Sequence, residues 1–345
     1  MTLHSEILEQ PARLSSLLLN QRDVVESVAQ EIRKQDVKFI LLAARGSSDN
    51  AGRYASYLLG IENGFVVAPA TPSLSTFYHT YPKLQNSLVI GISQSGQSPD
   101  IVSVLKEGQH QQCLTIALTN VPDSPLAKAG DFVLDLQAGY EGAVAATKTY
   151  TAELMMIAML SAAMKGDDQA WRQLERVSDC IKEVLQLDSV ISSSVQRYRD
   201  MQQCVVLGRG YNYSTAFEWA LKLKELTYMG AEAYSSADFM HGPIAIVKGG
   251  FPVLAVAPKG MVYTSMLETT RQLRRELKAE LVIISNEPEA LELADLPLTL
   301  PSDIPEWLSP ITAIVAGQLF AYHLTCIKGY DPEHPRIISK ITETN

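Results

Sequence analysis

No two of the four cysteines, Cys113, Cys180, Cys204 and Cys326, lie at C-x-x-C spacing. The thiols therefore read as unpaired, buried groups of a reducing compartment, which points to the cytoplasm. The six histidines include no H-x-H or H-x-x-x-H pair, so no structural or catalytic metal is expected. Positive charge is scarce: 29 Lys and Arg stand against 38 Asp and Glu, a net charge of −9. A broadly acidic surface excludes nucleic acid and anionic membrane as partners, although a local pocket can still oppose it and accept an anion. No apolar run approaches the ~18 residues of a membrane span. The opening Met1-Thr2-Leu3-His4-Ser5-Glu6 has none of the features of a secretory signal.

What is there is enough for a large core. The chain has 345 residues, of which 46% are hydrophobic and 19% charged, sufficient for one large or two medium domains. Apolar residues Ile7, Leu14, Leu17, Leu18, Val25, Val28 and Ile32 recur at near-helical spacing, which predicts helix over the first 35 residues. The run 37–44 reads as a buried strand and 49–59 as helix. Further strands are predicted at 64–67, 88–92, 114–118 and 132–136, several of them separated by helical stretches. Such alternation implies an α/β fold with a parallel sheet and helices on both faces.

The second half repeats the first. Cys204-Val205-Val206-Leu207-Gly208-Arg209-Gly210 echoes Leu41-Leu42-Ala43-Ala44-Arg45-Gly46, and Gly260, after the strand 252–257, echoes Gly96; both pairs are 164 residues apart. Val282-Ile283-Ile284-Ser285-Asn286 echoes Ile116-Ala117-Leu118-Thr119-Asn120 at an offset of 166. The agreement indicates a tandem duplication of one α/β unit. Between the copies, 142–164 and 170–194 read as two long helices, and 307–327 as a late one. The tail from Asp331 holds two prolines within five residues, so it reads as extended, ending in Lys340.

The turn Ile92-Ser93-Gln94-Ser95-Gly96-Gln97-Ser98 carries the most chemistry. It joins a buried strand to a helix start and offers hydroxyls, an amide and backbone N–H groups without charge. That is a neutral cradle for a phosphate monoester, though a serine-capped βα loop has the same composition. In the second copy, Pro258-Lys259-Gly260 has lost the Ser-Gln-Ser cradle, so only the first copy is expected to bind an anion.

The ordered set Ile92-Ser93-Gln94-Ser95-Gly96, Ala145-Ala146-Thr147-Lys148-Thr149, Leu207-Gly208-Arg209-Gly210, Ala220-Leu221-Lys222-Leu223-Lys224-Glu225, Ala231-Glu232-Ala233-Tyr234, His241-Gly242-Pro243 and Pro335-Arg336…Ser339-Lys340 resembles the double sugar-isomerase (SIS) family, specifically the isomerase half of glucosamine-6-phosphate synthase. The resemblance covers nearly all of the chain from about residue 36. It implies two tandem SIS domains, each a parallel β-sheet flanked by helices in a flavodoxin-like three-layer sandwich. The boundaries it suggests are an N-terminal helix 1–35, a first SIS domain 36–165, a helical linker 166–195, a second SIS domain 196–330 and a tail 331–345.

The same resemblance implies site roles. Ser93, Gln94, Ser95 and Ser98 match the phosphate cradle, and Ser48 a serine that contacts sugar. Glu225 matches the carboxylate that moves a proton between C1 and C2, His241 the ring-opening histidine that reaches the site from a neighbouring subunit, and Lys340 the tail lysine at the open-chain carbonyl. A carboxylate, an imidazole and an amine suit those three tasks. Without the resemblance, Glu225 reads as a solvated helix face beside an i,i+4 pair of Glu218 and Lys222, His241 as a turn residue and Lys340 as surface. Lys148 and Arg209 stay open between structural and phosphate-proximal roles.

The chain departs from that family's pattern at Arg45, where the synthase has a cysteine, at Ala146, where it has a serine, and across Ala237-Asp238-Phe239-Met240. Only a helix precedes the first strand, so no glutaminase activity is expected in the chain. The expected function is conversion of glucosamine 6-phosphate to fructose 6-phosphate and ammonia, without cofactor, by a homodimer with shared active sites. A fructosamine-6-phosphate deglycase and a galactosamine-6-phosphate deaminase/isomerase share that chemistry. A non-catalytic sugar-phosphate sensor would need neither Glu225 nor His241.

Overall fold

In a computed structural model, residues 2–340 are described. The first half contains α1 (Leu3–Leu8), α2 (Gln10–Lys34), β1 (Phe39–Ala43), α3 (Gly46–Asn63), β2 (Val66–Pro69), α4 (Ser73–Thr76), β3 (Ser87–Ile92), α5 (Pro99–His110), β4 (Leu114–Thr119), α6 (Pro125–Lys128) and β5 (Phe132–Asp135). Next come α7 (Lys148–Lys165), α8 (Asp168–Leu185) and α9 (Asp188–Ser194). The second half contains β6 (Gln203–Gly208), α10 (Tyr213–Thr227), β7 (Gly230–Ser235), α11 (Ser236–Met240), β8 (Pro252–Val256), α12 (Tyr263–Arg275), β9 (Glu280–Ser285), α13 (Pro288–Leu291), β10 (Leu296–Thr299) and α14 (Ser309–Ile327).

The two five-stranded sheets have one topology. The first runs β2-β1-β3-β4-β5 and the second β7-β6-β8-β9-β10, all pairs parallel. This is the flavodoxin-like order 2-1-3-4-5, in which the connections reverse direction between the first and third strands. The duplication extends to details. Gly46 and Gly210, 164 residues apart, both have positive φ, +56° and +59°. Asp131 caps the start of β4 through the Thr115 N–H at 2.9 Å, and Asp295 caps β9 through the Leu281 N–H at 2.9 Å. Asn120 donates to the Gly139 carbonyl across the next loop, and its echo Asn286 donates to the Pro301 carbonyl.

Two compact units do not follow chain order. Among the described residues, one comprises Ala12–Glu141, Lys148–Glu175, Ser339 and Lys340; the other comprises residues 2–11, Gly142–Thr147 and Arg176–Ile338. In the first, β3 and β4 are buried along their whole length. On one face of this sheet Ile101, Leu105 and Leu126 pack on Val89 and Ala117. The approach is close enough that β3 needs a glycine: a Cβ on Gly91 would stand 2.5 Å from Leu105. Helix α7 is buried from Lys148 to Ala163 and joins α3 through Ser48 to Glu153 and Ser161 to Asn63.

In the second unit α14 is the central helix. A Cβ on Gly317 would stand 3.0 Å from Trp219 of α10, and Phe320 meets that indole edge-on at 5.6 Å. The span Glu306–Ile327 is long and apolar enough to cross a membrane, contrary to the sequence-based expectation, yet 78% of its apolar window is buried inside the protein. That is the behaviour of a core helix.

Three predicted helices break. The N-terminal helix is interrupted at Glu9, because Pro11 has no N–H and its ring clashes with a carbonyl one turn earlier. The stretch predicted from 142 turns helical only at Lys148: the Gly142 and Ala143 N–H groups donate to the Glu6 carboxylate, and Glu141 caps the helix through the Thr149 N–H. The stretch 170–194 divides at Gln186-Leu187, where no breaker exists and tertiary contacts of Asp188 set the new helix.

The pair Glu218 and Lys222 forms as expected, at 3.3 Å, but in the core: both side chains are essentially inaccessible. Burial works to lower the Lys222 pKa, yet Glu218 and Glu225 outweigh it and hold it above the ordinary lysine value. Stability from that charge is therefore complete below the unfolded pKa of about 10.4 and is lost only as pH rises through the higher folded value. Lys222→Met should cost about 3–5 kcal/mol by stranding the Glu218 carboxylate, whereas Lys222→Met with Glu218→Leu should recover most of it. Urea unfolding at neutral pH measures both. In the parent, the stability given by the Lys222 charge should show no loss between pH 6 and 9.

Candidate active site

The carboxyl ends of β3, β4 and β5 open into a cavity of about 570 Å³ in the first unit. Its walls are the loops after those strands: Gln94, Ser95 and Gln97; Asn120, Val121 and Pro122; Asp135, Gln137, Gly139, Tyr140 and Glu141. Lys340 completes it from the tail. A crevice outside the carboxyl ends, beside the reversal of strand order, is where open α/β sheets bind ligands. The volume is within the range of small-molecule sites. A second cavity of about 130 Å³ is mainly apolar, lined by Leu41, Leu74, Leu84 and Val104 together with Thr71, Ser75, Tyr81 and Glu107.

The serine turn is built from within. Ser93 is buried; its hydroxyl accepts the Gly96 N–H at 3.2 Å and lies 3.5 Å from the Ser98 hydroxyl. The Gly96 carbonyl accepts from Leu126, and the Gln94 carbonyl from Asn120. These bonds turn Gln94 and Ser95 toward the cavity while Ser98 begins α5. Gly96 has φ +62°, and a Cβ there would stand 2.1 Å from the Ser124 hydroxyl, so no other residue fits. Of the expected cradle, Gln94 and Ser95 line the cavity, and Ser93 and Ser98 support the turn behind it. Ser48 is buried and donates to Glu153 at 2.7 Å.

Arg45 sits on α5's first turn, its Nε 2.8 Å from the nearly inaccessible Asp100. Of the two cations left open by the sequence, Lys148 is buried and donates to the Tyr140 carbonyl at 2.5 Å, fixing the cavity's rim. Arg209 donates to Ser265 at 2.7 Å in the other unit.

Sequence reasoning missed Glu141. Its side chain accepts the Thr149 N–H at 3.1 Å and the Thr149 hydroxyl at 2.8 Å, so it caps α7 from outside the helix. Its Oε2 also accepts from Lys340 Nζ at 2.6 Å. Glu141 is fully covered and Lys340 is 23% exposed. A carboxylate thus fixed by a helix N-terminus holds the tail amine at the cavity wall. The one signal available in sequence was an acid placed eight residues before Thr149; its partner Lys340 lies 199 residues on.

Glu225 and His241 belong to the second unit. Glu225 accepts from Lys222 at 2.5 Å and is 24% exposed, so it emerges from a buried charged trio and is not a freely solvated face. His241 follows α11 in an exposed turn, its N–H on the Asp238 carbonyl and Gly242 at φ +142° after it. In the same unit Arg336 stacks 3.8 Å over the Tyr228 ring that ends α10.

Known proteins share this architecture. The SIS domain family matches residues 32–163 and 198–328. The isomerizing glutamine–fructose-6-phosphate aminotransferase of Thermococcus kodakarensis is 31% identical over 346 residues, covering 97% of this chain and 56% of that protein. The chain thus spans about half the length of the curated relatives it matches. The C-terminal domain of glucosamine-fructose-6-phosphate aminotransferase from Francisella tularensis superposes with a TM-score of 0.87 at 27% identity, over 96% of this chain and 98% of that one. Glucosamine-6-phosphate deaminase from Thermotoga maritima superposes with a TM-score of 0.79 over the whole of both chains; at 21% identity it shows the fold alone.

Two outcomes test this geometry. Gly96→Ala should lower stability by about 1–3 kcal/mol, from the positive φ and the collision with Ser124 together. Glu141→Gln should keep α7's cap but weaken the hold on Lys340; trypsin cleavage after Lys340 should then quicken severalfold while cleavage at Lys165 does not change.

Proposed function

This chain belongs to the SIS domain family, and we propose that it isomerises and deaminates an aminosugar phosphate, converting glucosamine 6-phosphate and water to fructose 6-phosphate and ammonia. The observation that carries this reading is the cavity that joins the neutral Gln94–Ser95 turn to the Glu141–Lys340 pair and Asp135. Hydroxyls and amides at one end suit a phosphate, and the Asp135 carboxylate elsewhere in the lining suits a substrate that also bears an ammonium. The name of the Thermococcus relative, with its fructose 6-phosphate and its isomerising step, supports the same substrate class.

In the proposed sequence His241 moves the anomeric proton to the ring oxygen as the C1–O5 bond breaks, giving the open-chain aldehyde. Lys340 polarises the O1 carbonyl. Glu225 takes the C2 proton as Lys340 gives a proton to O1, forming an enolamine. Glu225 returns its proton to C1 and the amine N–H proton restores Lys340, leaving a C1 hydroxyl and a C2 imine; water adds at C2 and ammonia leaves, giving the C2 ketone. His241 is exposed on a short turn, which suits delivery to a second copy's site, so the proposed enzyme is a homodimer. Four unpaired cysteines suit a reducing cytoplasm.

Purified protein given glucosamine 6-phosphate should release one ammonia per fructose 6-phosphate, and Glu225→Gln should lower kcat by about 10²–10⁴. Ketose formation without ammonia would replace the deaminase by a plain aldose–ketose isomerase. Mixing Glu225→Gln with His241→Ala subunits should restore part of the activity. No recovery, with heterodimers shown to form, would place each site within one chain.

A further inference from the structure

We propose that His4, Asp188 and His323 form a binding site for one divalent transition cation of the zinc class, outside the sugar-phosphate chemistry. The three belong to one compact unit and come from α1, α9 and α14. His4 Nε2 lies 3.0 Å and His323 Nε2 2.7 Å from the same oxygen, Oδ1 of Asp188. All the candidate ligand atoms fall within 4.8 Å of one another, and this is the metal-capable group found among the described residues. Two imidazoles and a carboxylate are a zinc-type donor set. Adjacent ligand atoms of tetrahedral zinc, at its usual bond lengths, are roughly 3.3 Å apart. Sub-ångström side-chain shifts would therefore admit the ion, with water in the open position.

Three further observations support a site over a chance meeting. Both rings present the same nitrogen, Nε2, to one point rather than sharing the two carboxylate oxygens. The His4 ring is held in plane by stacking on Tyr322, at 4.8 Å and 10°. The side chains are 14–30% exposed, so an ion can reach them and still be partly shielded from water. The sequence hides the set because its members lie at positions 4, 188 and 323, without any short spacing. An ion here would staple α1 to the core helix α14. Two residues beyond His4, Glu6 accepts the Gly142 and Ala143 N–H groups, so the staple would also steady the segment 142–147.

The test uses the full chain, freed of metal by chelator and titrated with cobalt(II). One equivalent should saturate a visible d–d absorption of the intensity typical of tetrahedral cobalt, zinc should abolish it, and zinc should raise the Tm. Asp188→Asn keeps the shape and an acceptor for both imidazoles but removes the anionic ligand; His323→Gln removes a nitrogen. Each should weaken cobalt binding roughly tenfold or more, with far-ultraviolet circular dichroism unchanged. No saturable absorption in the parent, or equal binding by parent and both folded variants, would overturn the site and leave the trio as a hydrogen-bonded contact.

Discussion

The tight turn after β3 is the constraint on which the candidate site depends. The cavity lies outside the carboxyl ends of β3, β4 and β5, where parallel α/β sheets bind ligands, and one of its walls is this turn. It can fold back on Ser93 only because Gly96 accepts a positive φ beside Ser124. The α5 helix then begins at Ser98, and its packing through Leu105 against Gly91 fixes the turn from below. In the second sheet the strand order is the same, but Pro258-Lys259-Gly260 replaces the cradle. The fold supplies the place for a ligand, and the loop supplies the chemistry.

Buried charge organises the candidate site residues in both units. Glu141 has its acceptors filled by Thr149 and Lys340, so one carboxylate both starts α7 and seats the tail amine. Lys222 lies in the core between Glu218 and Glu225, which leaves Glu225 with one fixed donor and one partly open side. Isolated buried charges are costly, and such groups persist where several hydrogen bonds converge on them. Both arrangements hold a charged group in one orientation, as the proposed proton transfers would require.

The parallel sheets were legible in the sequence because their strands are short apolar runs bounded by turns, and the duplication because Arg45-Gly46 and Arg209-Gly210 need the same left-handed glycine. The short edge strands β7 and β10 were not. Ala231-Glu232-Ala233-Tyr234 and Leu296-Pro297-Leu298 alternate weakly and become strands by pairing with β6 and β9. Helix lengths failed where a side chain outside the helix caps its start, as Glu141 does at Thr149. The serine turn and Lys340 could be named from sequence, whereas Glu141 and the histidine pair could not. Their partners lie more than a hundred residues away, and no local period records such contacts.

In the function proposed above, the Ser93–Ser98 turn and the Lys340 wall form one phosphate-dependent sugar site. The measurement is calorimetric titration of fructose 6-phosphate against fructose, on the parent and on a Gln94→Ala, Ser95→Ala double variant. Only the phosphorylated sugar should bind, and the variant should lose at least tenfold in affinity, about 1.4 kcal/mol, while its thermal unfolding stays unchanged. Equal binding of both sugars, or undiminished binding of fructose 6-phosphate by the folded variant, would contradict it.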